Sequence, residues 1–174
     1  MDNLGLFYLI FGTNNKNNIL DQLMIFGAEY LIILAFILIF LIAFKGKTKE
    51  RKALILALFS LPILVIIIKF IHLFFYEPRP YVTLDISPLI AHEENASFPS
   101  RHITIMSAIA FSYIYFKSKW SPLFLFFLLW VGISRVYVGV HYPLDIIGGI
   151  IVGIISVLLA KQIVQFLKIR FSLS

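Results

Sequence analysis

The chain has no cysteine, so disulfides, thiol nucleophiles and cysteine-based metal sites drop out at once. Charge is scarce as well: Asp, Glu, Lys and Arg make up 14% of the 174 residues, and only nine are acidic. There is no carboxylate cluster of the kind Mg²⁺ prefers. Internal repeats and low-complexity tracts are absent. The start, MDNLGLFYLIFGTNNK, has neither a basic n-region nor a small-residue cleavage site, so no cleaved signal is expected. Apolar residues, by contrast, are abundant: 60% of the chain is hydrophobic and the mean hydropathy is +0.95. That is too apolar for a soluble domain of this length. It predicts an all-α integral membrane protein, folded as a single domain over residues 1–174.

A helix needs about 20 apolar residues to cross a bilayer. Runs at 24–44, 53–75, 103–116, 121–138 and 144–167 predict a bundle of five to six transmembrane helices. The third is short unless the polar motif before it adds a turn of helix. Pro62 is a candidate kink in the second. Gly149 and Gly153 form a GxxxG pair in the last, a spacing that lets helices approach closely. Residues 4–11 are too few to span and predict an interfacial N-terminal helix.

The formal charge of +6 would suggest nucleic acid for a soluble protein, but here the basic residues flank apolar runs. Topology and anionic lipid headgroups explain them better, and no nucleic-acid partner is expected. Lys45, Lys47, Lys49, Arg51, Lys52, Lys117, Lys119, Lys161, Lys168 and Arg170 all fall on one side if the spans alternate. The positive-inside rule makes that side cytoplasmic, together with the C-terminus. Of the acids only Glu50 joins them. The opposite, outer face receives three polar clusters: His72–Pro80, Pro99–His102 and Ser134–Asp145.

Ionisable residues near the apolar phase are costly and mark functional sites. In Ser134–Asp145, His141 and Asp145 stand four apart, with Pro143 suited to the first turn of the final helix. At that spacing a carboxylate can accept from one ring nitrogen, fixing the tautomer and leaving the other nitrogen free to attack. Arg135 carries a planar fork that matches phosphate oxygens; the alternative is an interfacial His–Asp pair with a snorkelling arginine. In Pro99–His102, Ser100 suits a helix N-cap, and the amides that follow would make a phosphate seat supplemented by Arg101, with His102 placed to exchange a proton. An ordinary helix start is the alternative there. Pro78 and Pro80 hold Arg79 in extended backbone, either to direct it at a ligand or as a membrane-exit anchor. Lys69 is either part of this set or a snorkelling lysine.

Weaker features surround these clusters. His92, Glu93 and Glu94 read mainly as a solvated loop. Tyr76, Tyr81, Tyr137 and Tyr142 fit an interfacial aromatic belt. Glu29 faces the same side as the clusters. Asn95-Ala96-Ser97 matches a glycosylation sequon, though the motif it abuts explains it better.

Together the clusters resemble the signature of the type 2 phosphatidic acid phosphatase (PAP2) family: a Lys, six residues, Arg-Pro; then Pro-Ser-Gly-His; then Ser-Arg, five residues, His, three residues, Asp. Ser134, Arg135, His141 and Asp145 match the third motif in full. The stretches NNILDQLMIFGAEYLIIL and HEENASFPSRH are further similar to the small bacitracin-resistance-type undecaprenyl-diphosphate phosphatases. The resemblance implies a multi-pass enzyme of the bacterial inner membrane with its active site on the outer, periplasmic face. It implies a polyprenyl diphosphate, or another anionic lipid, as substrate, and hydrolysis of undecaprenyl diphosphate that would deny bacitracin its target.

In that reading His141 is the nucleophile, Asp145 orients it, and His102 protonates the leaving group and then activates water. Arg79, Arg135 and Ser100 hold phosphate oxygens, and no metal or other cofactor is needed. Two positions depart from the pattern. His72 stands at the family's lysine, so His72 or Lys69 takes part of that role. Arg101 replaces the glycine of the second motif and would favour a diphosphate. The alternatives are a phosphatidylglycerophosphate or phosphatidate phosphatase with the same site, and a non-catalytic membrane protein or small transporter. The sequence carries no signature of an oligomeric state.

Overall fold

The computed structural model describes residues 2–91 and 95–166, and every regular element among them is helical. In chain order these are α1 (Asn3–Phe11), α2 (Asn18–Glu29), α3 (Leu31–Lys45), α4 (Thr48–Phe74), α5 (Pro80–Thr83), α6 (Arg101–Tyr115), α7 (Ser121–Tyr137) and α8 (Pro143–Phe166). The helices α4 and α8 are each long and apolar enough to cross a membrane, and α2 with α3 makes a third candidate. By length alone α6 and α7 fall short, since 15 and 17 residues reach only about 22 and 26 Å.

The first apolar run departs most from expectation. Asn17 caps α2 by accepting from the backbone amides of Ile19 and Leu20 at 2.9 and 3.2 Å, so the helix starts at 18 rather than 24. It then bends by 54° into α3. Tyr30 at the bend keeps near-helical backbone (φ −100°, ψ −24°), and its carbonyl still accepts from Leu34. The helix α4 opens five residues before the expected 53, because TKERK continues the helix into the basic loop, and it runs unbroken through Pro62.

The centre of the bundle is α6, which packs on α4, α7 and α8. Its small residues Ser107, Ala108, Ala110 and Ser112 are buried. The glycine pair of α8 fits against it: a Cβ at Gly149 would lie 2.9 Å from the Ser100 carbonyl oxygen, and one at Gly153 would lie 2.7 Å from that of Thr104. Ser107 Oγ crosses the gap to donate to the Ile150 carbonyl at 2.9 Å. Along α4, Ala53, Ala57, Ser60, Leu64 and Ile68 form the buried stripe. Its outer face is large and equally apolar, with Ile66, Phe70, Leu73 and Phe74 all more than 60% exposed. Such a surface matches lipid rather than water, and this is a membrane protein.

Connectivity sorts charge to the two ends. The C-terminal end of α4, the N-terminal end of α6, the C-terminal end of α7 and the N-terminal end of α8 meet at one end, with α1 and α5 beside them. Lys45, Lys47, Lys49, Lys117 and Lys119 gather at the other, around a cavity of about 750 Å³ that also touches Glu50 and Trp120. Lys168 and Arg170, counted in the same basic set, lie outside the described residues.

Candidate active site

The polar end is built by chain reversals. After α4 the chain runs to Arg79, whose extended backbone (φ −72°, ψ 157°) is what a residue before proline adopts. Its side chain turns inward and is 3% exposed. The helix α7 ends at Tyr137, and a turn through Gly139 (φ 86°) feeds α8. That φ suits glycine, and a Cβ there would press to 2.7 Å from the Phe11 ring. Val140 N donates to the Arg135 carbonyl at 3.2 Å and Leu89 N to the Val138 carbonyl at 3.0 Å, so the turn is pinned from both sides. It delivers His141 just ahead of α8.

His141 and Asp145 meet as their spacing predicts, with Nδ1 and Oδ2 3.2 Å apart and side chains 1% and 0% exposed. The same carboxylate oxygen accepts from the Tyr142 backbone amide at 2.8 Å and from the Ser97 hydroxyl. On the other side of the ring, Nε2 lies 3.2 Å from Arg79 Nη1. A guanidinium has only donors, so Nε2 is the acceptor. The proton of the neutral ring is therefore assigned to Nδ1, facing Asp145. Arg79 Nη1 also donates to the Val140 carbonyl at 2.9 Å, while its Nε and Nη2 both donate to Asn95 Oδ1 at 3.2 and 2.7 Å. Arg135, 1% exposed in the last turn of α7, donates from Nη1 to the Ala28 carbonyl of α2 at 3.3 Å. Glu29 and Arg79 are within electrostatic range of it.

The second motif closes the cluster. Ser100 N donates to the Asp145 carbonyl at 3.1 Å, fastening the start of α6 to the start of α8. Ser100 occupies the N-cap position, as expected, but its hydroxyl makes no capping bond. Among the described residues that buried oxygen has no hydrogen-bond partner. Arg101 is exposed and His102 half-buried on the first turn of α6. His72 Nε2 stands 3.0 Å from the Phe98 carbonyl, so this side chain reaches the motif loop; Lys69, one turn earlier, is exposed on α4.

Electrostatics in the loops follow burial. Burial lowers the Arg79 pKa from its usual value, and Tyr81 and Asp145 work against that loss. Burial likewise raises the carboxyl of Glu77 and the phenol of Tyr142. Among the described residues no three His, Asp or Glu side chains gather as a metal-ligand set.

Two expectations change. Tyr137 and Tyr142 are not belt residues, being 2% and 7% exposed. Tyr137 donates to Asp21 Oδ1 at 2.7 Å, and the Tyr142 hydroxyl pairs with Thr83 Oγ1 at 2.8 Å, so each phenol fastens one segment of the polar end to another. Sequence reasoning gives no role to Asn95 or Ser97, yet both touch the cluster. The available signal is slight: two short polar residues abutting a motif. His92, Glu93 and Glu94 lie outside the described residues.

Fold and site together define a membrane protein, helical throughout its described residues, whose polar end encloses a His–Asp pair against the buried Arg79. A model described as the PAP2 superfamily matches residues 52–169, and the chain belongs to that superfamily. It is 37% identical to "Undecaprenyl-diphosphatase BcrC" of Bacillus subtilis (strain 168) over 98% of this chain and 84% of that protein. It is 31% identical to "Bacitracin transport permease protein BcrC" of Bacillus licheniformis over 90% of this chain and 77% of the relative. The crystal structure of Aquifex aeolicus LpxE superposes with a TM-score of 0.65 at 25% identity, covering 91% of this chain and 94% of that one.

Proposed function

We propose that this chain hydrolyses undecaprenyl diphosphate to undecaprenyl phosphate and inorganic phosphate. One observation carries the reading: Asp145, His141 and Arg79 stand in line, with the ring proton held toward the carboxylate and the Nε2 lone pair turned toward a cation. That is a nucleophile held ready beside an anion-binding group. The name carried by the Bacillus subtilis relative supports the choice of substrate.

In this mechanism Arg79 shifts its Nη1 contact from His141 to an oxygen of the terminal phosphoryl group. Nε2 attacks the phosphorus, and the bond to the bridging oxygen breaks. His102 gives its proton to the departing lipid phosphate. Asp145 balances the charge of the phosphorylated ring. His102 then takes a proton from water as the water oxygen attacks phosphorus, and the N–P bond breaks to release phosphate. Arg79, Arg135, Arg101 and the Ser100 hydroxyl hold the equatorial oxygens, whose charge must be stabilised throughout. His72 steadies the loop that carries Ser100, and Lys69 is the weaker claimant to the family lysine's part. The cationic side chains take the place a metal ion has in other phosphoryl-transfer sites.

We further infer one domain with five crossings, by α2–α3, α4, α6, α7 and α8, with α1 and α5 along the interface. The lysine-rich end and the C-terminus face the cytoplasm and the site faces outward. The test is phosphate release in EDTA from undecaprenyl diphosphate, phosphatidylglycerophosphate and phosphatidate. Wild type should prefer the first, and His141→Ala should be inactive on all three. Equal rates for wild type and His141→Ala would falsify the catalytic assignment.

A further inference from the structure

The segment Asn95-Ala96-Ser97 precedes the second motif and belongs to no helix. It nonetheless grips the two groups that flank the reactive ring. Asn95 Oδ1 is bracketed by Arg79 Nε and Nη2 at 3.2 and 2.7 Å. Ser97, 0% exposed, donates its hydroxyl proton to Asp145 Oδ2, and Ser97 Oγ itself lies 3.3 Å from His141 Nδ1. Its backbone amide donates to the Glu77 carbonyl at 2.7 Å, tying the segment to the stretch that carries Arg79.

Proton counting gives these contacts a direction. The Nδ1 proton faces both Asp145 Oδ2 and Ser97 Oγ, because Nε2 accepts from Arg79. Ser97 has one proton and gives it to Asp145, so its lone pairs are left for Nδ1–H. The serine therefore restrains the carboxylate and the ring at once. Asn95 presents a single acceptor to two prongs of the Arg79 fork, leaving Nη1 as the prong that faces His141. Neither residue reaches Nε2, where the substrate phosphorus would bind.

We infer that Asn95 and Ser97 are positioning residues: Ser97 sets the rotamer of Asp145 and, through it, the tautomer and angle of His141, while Asn95 aims Arg79 at the phosphoryl group. The inference rests on the reading of His141 as nucleophile. Ser97→Ala should lower kcat about 10- to 100-fold, the range that losing a hydrogen bond to a charged group produces, with KM within about twofold of wild type. Asn95→Ala should act mainly on KM, raising it by about 10-fold as the phosphate-binding arginine loosens.

The decisive measurement is a double-mutant cycle of kcat for Ser97→Ala, Asp145→Asn and the pair, with undecaprenyl diphosphate as substrate. If Ser97 acts through Asp145, the double variant is no slower than Asp145→Asn within about threefold, because the serine then has no carboxylate to restrain. Multiplicative losses, or wild-type kcat in Ser97→Ala, overturn the inference. If Ser97→Ala is not recovered folded, the half-buried Asn95 carries the same test in kcat/KM against Arg79→Lys, where multiplicative losses again overturn it. Activity retained in His141→Ala would instead sink the underlying reading, so the two failures are told apart.

Discussion

Gly153→Ala sets two effects of opposite sign against each other at the α6–α8 contact. In an exposed helix the change stabilises by about 1 kcal/mol, because alanine is the better helix former. Here the new Cβ would stand 2.5 Å from Ser107 Cβ, 2.6 Å from its Oγ and 2.7 Å from the Thr104 carbonyl oxygen. Carbon atoms rest at roughly 3.5–4.0 Å, so the helices must part by about 1 Å. The Thr104 oxygen is backbone and cannot rotate away. Overpacking of this kind costs about 1–3 kcal/mol, and stretching the Ser107–Ile150 hydrogen bond adds about 1 kcal/mol. The clash wins, for a net loss of about 2 kcal/mol. Thermal unfolding of the detergent-solubilised protein should shift down by about 4–8 °C. On the proposed mechanism phosphate release should fall more steeply than stability, because the start of α6 brings Ser100 and His102 while α8 carries Asp145. A misplacement of about 1 Å between reacting groups costs about 100-fold. An unfolding midpoint equal to or above wild type would refute the close approach of these helices at Gly153.

Other outcomes test other parts of the molecule. Arg79→Lys keeps the charge but loses the fork. With the forked contact to phosphoryl oxygens gone, about 1.5–3 kcal/mol, kcat/KM should drop about 10- to 150-fold, whereas a rate within threefold of wild type would mean that charge alone suffices. Burial raises the Glu77 carboxyl above its ordinary 4.5, so the folded chain holds this proton more tightly than the unfolded chain does. The associated stability is complete below about pH 4.5 and lost as pH rises through the raised value. Glu77→Gln should therefore unfold at a higher temperature than wild type at pH 7 and at the same temperature at pH 4; identical midpoints at both would contradict the burial argument. Arg101→Gly should lower the ratio of diphosphate to monophosphate hydrolysis, and an unchanged ratio would remove Arg101 from substrate selection.

Much of the bundle is legible because it depends on local chemistry. The observed α7 at both ends and α8 at its start fall within one residue of the expected runs. Proline sits in the first turn of each, and a continuous apolar run fills the rest. The bend between α2 and α3 is not legible, because hydropathy carries no direction. Tyr137 and Tyr142 read as belt residues for the same reason: an amphipathic ring looks alike at an interface and in a polar core. Only the structure supplies their partners, Asp21 and Thr83.

The candidate site divides along the same line. A separation of four residues brings His141 to Asp145 through the first turn of α8, so that pair is written in the sequence itself. The charge bias of the loops likewise sorts the three polar clusters to one end, since alternating spans leave them nowhere else to go. The contacts that give the histidine its orientation are of another kind. Arg79 meets His141 across 62 positions and Ser97 meets Asp145 across 48, and no local periodicity links such residues. Ser97 reaches Asp145 through the packing of α6 against α8 on glycine and serine, and its backbone bond to Glu77 draws in the stretch that carries Arg79. That packing is a property of the folded chain, and it helps turn three separate clusters into one arrangement with the imidazole lone pair facing a cation.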